Sequence, residues 1–328
     1  MDTSISDFEA LRAYMESRGI AVAGLRDIVD AASKILEGKE ELSKNERRVA
    51  RLLWHLGLVV KTPSGKVRPT PQLEAVSQGN TALLAKRLAR WTPMRILLRY
   101  MIASGGSATL EDVVRDLGGV MKRVTEKYLP VLKLAYPKLK CPVSKPFNKH
   151  VVDTVLFKLG ADLGFLKYDR GRGVAHLTEL AEEYVEQHAV EVIRTAPRSP
   201  IILAAVAATV TSARRVYLVS PWIDGEVAEA LSPLLHGREV VVVTRKPVEG
   251  RQGERHRRAL QILAQRGEVL CYERLHTKLA MGTSAVVTSA NFTVASMLHN
   301  IETGVYYHET PTPLRVHAEE IVAAADTC

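Results

Sequence analysis

The sequence predicts a multidomain chain in which two α-rich modules of mixed helix and strand (α+β) precede an α/β domain with a mixed sheet. Three observations predict this class. One pattern of helix, strand, basic turn, strand and helix occurs twice, and a short segment with two prolines follows at 195–200. Strand-like and helix-like stretches alternate after it. We therefore expect domains at 1–90, 91–196 and 197–328.

The charge of the chain indicates an anionic partner. Its 328 residues suffice for two or three hydrophobic cores, and its net charge is +9. A sequence pI of about 9.4 favours an anionic polymer or surface, of which nucleic acid is the commonest. A surface rich in ion pairs is the alternative explanation.

The cysteines and the apolar runs indicate the compartment. Cys141, Cys271 and Cys328 are far apart and form no C-x-x-C motif, which argues against a disulfide framework and for a reducing compartment. The N-terminal stretch is acidic and helical, unlike a signal peptide. The longest apolar run, 201–210, is roughly half a bilayer span. We expect a cytoplasmic protein without a membrane partner.

The first module begins with helices and continues with a hairpin. Apolar residues recur at helical spacing before residue 36. Ser43 and Glu46 form a capping box that starts a helix, and Gly57 ends it. The stretch 58–68 then reads as two short strands around a Pro-Ser-Gly turn.

The second module repeats this ending. Its stretch LGFLKYDRGRGVAHLTELAEEY has the layout of LGLVVKTPSGKVRPTPQLEAV in the first module. Upstream we predict helices at 93–103, 109–117 and 121–134, and downstream a helix that ends near residue 188. Both layouts resemble a winged helix, so we interpret the modules as tandem winged helices.

Cations cluster at the two predicted wings. They are Lys61, Lys66 and Arg68 in the first module, and Lys167, Arg170 and Arg172 in the second. Cations at a hairpin tip can reach phosphates or a minor groove, so these residues are candidate nucleic-acid ligands. A winged helix used only for protein contacts is the alternative.

The third domain carries the densest basic cluster of the chain. It lies between the strand predicted at 240–244 and the next helix, and it consists of Arg251, Arg255, Arg257 and Arg258, with His256 among them. Because the segment follows a strand end near the predicted site, the arginines are candidates for binding a polymer backbone. A solvated charged helix face is the alternative.

Polar side chains converge in the stretch LHTKLAMGTSAVVTSAN at 275–291. Its two halves read as strands joined by a tight turn, so His276 and Lys278 share one face and Ser289 and Asn291 share another. A third strand would begin near Glu302, two residues after an asparagine. If the three strands are neighbours, these polar groups form one patch, which would be costly to bury without a purpose.

Such a patch suits attack on a phosphodiester. A neutral imidazole, here His276, is a competent nucleophile near neutral pH. Lys278 and Asn291 can hold the anionic phosphate oxygens, and the carboxylate of Glu302 can orient the histidine. The cationic groups come from the protein, so we expect neither a metal nor another cofactor.

These residues resemble the signature of the phospholipase D superfamily. The matching pieces are H-T-K at 276–278, S-A-N at 289–291 and N-I-E at 300–302. The resemblance covers about the last third of the chain and implies an α/β phospholipase D-like domain with a phosphohistidine intermediate. The family uses a second motif to supply the leaving-group acid. Because this chain has a single H-x-K, the resemblance implies a homodimer through the C-terminal domain, with two copies of His276 at one phosphate.

This chain departs from the family pattern at two positions. Thr283 stands where the family has an aspartate, and Thr288 stands where it has a glycine. Two functions from different classes follow. The first is a metal-independent phosphodiesterase, a DNA nuclease with winged helices for binding. The alternative is a winged-helix transcription regulator whose phospholipase D-like domain binds a ligand without catalysis, and a lipid-headgroup transferase is disfavoured.

Overall fold

The computed structural model describes residues 5–39, 41–62, 66–184, 189–196 and 199–328. The chain is a mixture of helix and sheet and divides into two compact units. The first unit comprises Met1–Val124 and Pro142–Gln187, and the second comprises Thr125–Cys141 and His188–Cys328. The predicted domain 91–196 is thus shared between the two units, while the division into three domains stays a prediction.

The first unit is mainly helical. In chain order its elements are α1 (Asp7–Ser17), α2 (Leu25–Leu36), α3 (Lys44–His55), β1 (Val59–Lys61), β2 (Val67–Pro69), α4 (Pro71–Ser77), α5 (Thr81–Ala89), α6 (Thr92–Ala103), β3 (Ser107–Thr109) and the greater part of α7 (Leu110–Lys127). After α8 (Leu129–Ala135), which lies in the second unit, come α9 (Lys149–Val151), a π-helical turn (Val152–Phe157), α10 (Lys158–Asp162), β4 (Leu166–Asp169), β5 (Val174–Leu177) and α11 (Glu179–Tyr184).

Local sequence signals explain where α3 begins and ends. The Ser43 hydroxyl accepts from the Glu46 amide at 3.3 Å, and the Glu46 carboxylate accepts from the Ser43 amide at 2.7 Å. One face of the helix buries Leu52 and Leu53. Gly57, at φ +72°, follows the helix in a conformation that favours glycine. The predicted capping box is confirmed.

The two predicted hairpins form, and α6 confirms the predicted helix 93–103, but the two helices predicted after it differ. Strands β1 and β2 pair antiparallel, and β3, β5 and β4 form a three-stranded sheet in that order. The predicted helices 109–117 and 121–134 are instead β3, one continuous α7, and α8, which begins at Leu129 with Pro130 in its first turn. The predicted turn residues 63–65 and the predicted helix end near 188 lie outside the described residues.

The second unit is built on one mixed sheet. After α8, its elements are β6 (Val190–Ala196), β7 (Ser199–Pro200), α12 (Ile201–Val210), β8 (Arg215–Val219), α13 (Gly225–Leu231), a 3₁₀ turn (Ser232–Leu235), β9 (Glu239–Thr244), α14 (Arg251–Ala264), β10 (Gly267–Cys271), β11 (Leu279–Met281), β12 (Ala285–Thr288), a π-helical turn (Ala295–His299), β13 (Glu302–Tyr307), α15 (Thr312–Ala323) and β14 (Asp326–Thr327). The strand order is β14-β10-β9-β8-β11-β12-β13-β6-β7. Only β8, β9 and β10 pair in parallel among the described strands.

Strand β6 is where the sequence interpretation fails most clearly. The stretch before residue 196 was predicted to end a winged helix and start a linker, yet β6 pairs along its length with β13. Glu302 lies opposite Thr195 in this register. The buried positions of β6 are Glu191, Ile193 and Thr195, whereas Val190 and Val192 are exposed, so its apolar pattern does not identify the buried face before its partner is known.

Both faces of the central strands are covered. Tyr217 and Val219 of β8 pack in one core cluster with Ala318 and Ile321 of α15. Val216 and Leu218, on the opposite face of β8, are buried as well. Helix α12 is buried along its whole length and contacts β11 and β12. Central strands of this kind read as continuous apolar runs, which is why β8 and β9 were recognisable from sequence.

A disulfide joins the end of β10 to the C-terminal residue. Cys271 and Cys328 are bonded with their Cα atoms 4.9 Å apart, and Cys141 is free and half-buried. The prediction against a disulfide is therefore wrong. The two cysteines meet because β14 pairs antiparallel with β10, a contact that sequence spacing does not reveal. The expected reducing compartment loses this support.

No helix in the described part of the chain combines the length and apolar character that a membrane span requires.

Candidate active site

The predicted polar residues come together at one edge of the nine-stranded sheet. At this edge β8, β9 and β12 end and β11 and β13 begin, because Leu279 lies opposite Val219 and Thr288 lies opposite Gly304. The carboxyl ends of parallel strands are the usual place for a site in an open sheet. The residues brought to this edge are His276, Lys278, Ser289, Asn291, Asn300 and Glu302.

His276 and Lys278 lie in an extended segment that leads into β11, not within the strand as predicted. The Lys278 ammonium nitrogen is 3.4 Å from each ring nitrogen of His276 and donates to the His276 carbonyl at 2.8 Å. His276 is exposed, whereas Lys278 is only 8% exposed. The imidazole is thus reachable by a substrate beside a fixed positive charge.

The environment of Lys278 alters its proton affinity. Burial lowers the pKa of Lys278, and the positive charge of Arg245 lowers it further. The carboxylate of Glu302 acts in the opposite direction on the same pKa. An anionic ligand at this edge would offset the cost of burying the Lys278 charge and the repulsion between Lys278 and Arg245.

Glu302 is held by the neighbouring polar residues. Its carboxylate accepts from the Ser289 hydroxyl at 2.5 Å and from the Asn300 amide at 3.4 Å. The Ser289 hydroxyl also accepts from the Thr303 backbone N–H at 3.1 Å, which ties the end of β12 to the start of β13. No hydrogen bond joins Glu302 to His276 in the described chain, so within one copy the carboxylate does not orient that ring.

Asn291 carries an unpaired polar atom. Its Oδ1 is buried and has no hydrogen-bond partner among the described residues. The next residue is fixed, because the Phe292 backbone N–H donates to the Ser220 hydroxyl at 3.1 Å. A buried polar group without a partner costs about 1–3 kcal/mol. This oxygen is an acceptor, so only a donor can pair with it, and an anionic oxygen would have to bind the side-chain NH2 of Asn291 instead.

Arg245 is a site residue that the sequence reasoning did not identify. Its Nε donates to the carbonyl of Leu275 at 2.7 Å, directly before His276, and its charge is felt by Lys278. A signal was available, since Arg245 follows the end of β9, a parallel strand whose carboxyl end reaches this edge.

His256 is a buried structural residue, not part of a basic surface. Its Nε2 lies 3.1 Å from the Thr244 hydroxyl and 2.9 Å from the Arg245 carbonyl, and its Nδ1 lies 3.0 Å from the Ile223 carbonyl. The ring therefore joins the segments that follow β8 and β9. Its inclusion in the predicted basic cluster is a correction, because the ring faces inward from α14.

The other members of that cluster are exposed along the first turns of α14. Arg258 forms an ion pair with Glu229, and Arg257 donates to the Val248 carbonyl at 3.2 Å. Arg251 and Arg255 make no ion pair with any described residue. Arg251 and Arg255 are thus better candidates than Arg257 and Arg258 for contacting an external anion.

The predicted wing cations belong to the first unit and differ in availability. The Lys61 ammonium lies 4.4 Å from the ring centroid of Trp54, and Arg170 forms an ion pair with Asp153 at 3.2 Å. The remaining wing cations are exposed: Lys66, Arg68, Lys167 and Arg172.

Thr283, at the position where the family pattern has an aspartate, has a structural role. Thr283 lies in the turn between β11 and β12, at the end of β11 remote from His276. Its hydroxyl donates to the Ser212 carbonyl at 2.8 Å, and its backbone N–H donates to the Ser212 hydroxyl at 3.0 Å. The position anchors the hairpin, so the threonine removes no group from the site edge. Within the described residues, no group of three or more His, Cys, Asp or Glu is arranged to hold a metal ion.

Comparison with known proteins gives matches among solved structures only. No family model matches the chain, and no curated protein matches it. Nuc from Salmonella typhimurium, a phospholipase D family member, is 17% identical with a TM-score of 0.35, over 42% of this chain and 98% of that one. NucT from Helicobacter pylori is 14% identical with a TM-score of 0.36, over 42% of this chain and 99% of that one.

A third structure matches along nearly the whole chain. TrmBL2, an archaeal chromatin protein with a described mode of DNA binding, is 13% identical with a TM-score of 0.31, over 98% of this chain and 94% of that one. A solved member of the phospholipase D family stands among the similar structures.

Proposed function

We propose that this protein is a phosphodiesterase of the phospholipase D type, a DNA nuclease that needs no metal and acts through a phosphohistidine on His276. The observation that carries the proposal is the placement of Lys278 Nζ 3.4 Å from the exposed imidazole of His276, at the strand edge that also holds Asn291. The proposed nucleophile and the phosphate-binding cation are thus close enough to contact the same phosphate group.

The chemistry follows from these groups. A ring nitrogen of His276 attacks phosphorus, a P–N bond forms, and the P–O bond to the leaving strand breaks. The leaving oxygen takes a proton from an acid on the opposite side of the phosphate. Water then attacks phosphorus, loses its proton to that group, and displaces His276. Lys278 and the Asn291 amide stabilise the non-bridging oxygens in both steps.

The opposite acid is supplied by a second copy of the chain. The described residues offer no second histidine in hydrogen-bond contact with Lys278, and a two-fold axis would place another His276 across the phosphate. We therefore propose a homodimer through the C-terminal domain. Light scattering should give twice the mass of the chain, and a fully active monomer would contradict the shared site.

DNA recruitment is assigned to the first unit. The element order α6, β3, α7, α9–α10, β4, β5 supports a winged helix in its second half, and the β1–β2 hairpin after α3 supports another in its first half. Five exposed wing cations, of which Arg170 is ion-paired, and the net charge of +9 support binding to a phosphate backbone.

The decisive experiment is DNA cleavage in EDTA by wild type and His276→Ala, on single-stranded and double-stranded substrates. We expect cleavage by wild type, none by His276→Ala, and equal DNA affinity for both. His236→Ala serves as the matched control, since His236 is exposed and remote from the site in sequence and structure. Cleavage that requires magnesium and survives the His276 substitution would refute the mechanism.

One observation is compatible with the regulator as a second candidate function. Glu302 is hydrogen-bonded to Ser289 and Asn300 and not to His276, an arrangement that suits a polar ligand site as well as a catalytic one. A regulator would bind a specific DNA sequence, release it with a small ligand, and cleave nothing. Absence of cleavage by wild type together with sequence-specific binding would decide for it.

A further inference from the structure

A cavity of about 540 Å³ lies within the first unit, apart from the candidate active site. Its walls come from the segment between α1 and α2, from α2, from α3 and the residue before it, and from Lys145, α9 and the π-helical turn that follows α9. Buried apolar side chains form part of the lining, among them Ile20, Val49, Val151 and Val155. The volume falls within the range of small-molecule sites.

Positive charge gathers at one end of this cavity. Lys145 and Arg48 line it and are both half-buried. The guanidinium of Arg51 lies against the wall at Gly19, where an added Cβ would meet Arg51 Nη1 at 1.7 Å. Burial lowers the pKa of Lys145, and the charges of Arg18, Arg48 and Arg51 lower it further. The three arginines are therefore close enough to Lys145 for their charges to repel it.

Asp27, Asp30 and Glu46 line the cavity, and none of them forms an ion pair with Lys145 or Arg48 among the described residues. The Asp30 carboxylate lies 3.9 Å from Arg26 Nε instead. Glu46 forms an ion pair with Lys34 and caps α3 through Ser43. Asp27 accepts from the Ala23 backbone N–H at 2.6 Å. Neither Lys145 nor Arg48 makes an ion pair with any residue that the structure describes. Half-buried cations without a counter-charge are costly unless an anion joins them.

We propose that this cavity binds a small phosphate-bearing organic molecule, with the phosphate held by Lys145 and Arg48 and the organic part against the apolar lining. Arginine and lysine together supply the forked and single-point donors that phosphate oxygens accept. The concave, half-buried setting suits a small molecule, whereas contact with the phosphate backbone of duplex DNA needs cations that are exposed at the surface. The proposal is independent of the nuclease function.

The test is isothermal titration calorimetry on the full chain with AMP, glucose 6-phosphate and inorganic phosphate, and with adenosine and glucose as uncharged counterparts. We expect at least one phosphate ester to bind more tightly than inorganic phosphate, and neither uncharged counterpart to bind. Lys145→Gln and Arg48→Gln should each weaken that binding by about tenfold or more, since each removes a charged hydrogen-bond donor.

The matched control is Lys149→Gln, an exposed lysine of the same segment that does not line the cavity. It should bind the ester like wild type. Thermal melting checks the fold, and Lys145→Gln should melt at the wild-type temperature or above, because it removes a repelled charge. Equal binding by all variants, or no binding by any phosphate probe, would overturn the proposal. Tighter binding of inorganic phosphate than of every ester would overturn the organic part of it. Loss of duplex DNA affinity in both cavity variants without any ester binding would assign the cations to DNA instead.

Discussion

Arg245 Nε donates a hydrogen bond to the backbone carbonyl of Leu275 at 2.7 Å. This bond links the segment after β9 to the residue that precedes His276. The same arginine lies near enough to Lys278 for its charge to lower the pKa of that lysine. Arg245 thus both positions the segment of His276, the proposed nucleophile, and adds positive charge beside Lys278.

The first prediction concerns the pH dependence of cleavage. Lys278 stabilises phosphate only when protonated, so activity should fall as pH rises through its lowered pKa. Arg245→Gln removes a charge that lowers this pKa, and the alkaline limb of the pH–rate profile should therefore move to higher pH. Its maximal rate should also fall, because the bond to Leu275 is weakened. Lys246→Gln, at the exposed neighbouring residue, should keep the wild-type profile, and an unmoved limb in Arg245→Gln would exclude the coupling.

The second prediction concerns Lys278 itself. Lys278→Met keeps the length of the side chain and removes its charge, so DNA cleavage should fall about 100-fold or more through lost transition-state stabilisation. The free energy of unfolding should stay equal or rise, since burial disfavours the charged form of this lysine. Single-turnover cleavage and urea unfolding measure the two effects. Lys246→Met is the control for activity, and a variant that cleaves normally would remove Lys278 from the mechanism.

The third prediction concerns the packing of α14. An added Cβ at Gly253 would meet the Val248 carbonyl oxygen at 1.7 Å, so backbone must move to admit alanine. Gly253→Ala should lower the free energy of unfolding by about 1–3 kcal/mol. Gly119→Ala is the contrasting control in α7, where the added Cβ meets nothing closer than 3.7 Å and should stabilise by about 1 kcal/mol. Urea unfolding should show that the two substitutions change the free energy of unfolding in opposite directions. Equal changes would contradict the close contact at Gly253.

The fourth prediction concerns the disulfide. Cys271 and Cys328 are 57 residues apart in sequence, so their bond restricts a long loop of the unfolded chain. Cys328→Ser should lower the free energy of unfolding by about 2–4 kcal/mol under oxidising conditions. Reduction of the wild type should cause the same loss. Cys141→Ser tests the free cysteine and should change stability little, and an equal effect of both substitutions would argue against the bond.

Sequence reasoning succeeded where a local signal and a periodic pattern agreed. The Ser43 capping box marks the start of α3, and the apolar runs of β8 and β9 mark central strands. It failed where the partner decides the structure. Strand β6 exists because β13 lies beside it, and Cys271 meets Cys328 because β14 pairs with β10.

The candidate site shows the same division. Spacing alone predicted that His276 and Lys278 act together and that Ser289 and Asn291 belong to the same patch, because side chains two residues apart on an extended backbone point the same way. Only the fold revealed that Glu302 bonds to Ser289 and not to His276, since that choice depends on the register of two strands.

The amino-acid sequence by itself determined the residue types of the site, the central strands of the sheet and the basic character of the chain. The tertiary structure decided which of these groups meet. Arg245 joins the site through a carbonyl 30 residues away, and Lys145 joins a cluster of arginines contributed by α3 and the end of α1. Contacts of this kind arise from packing between elements distant in sequence, and no local pattern encodes them.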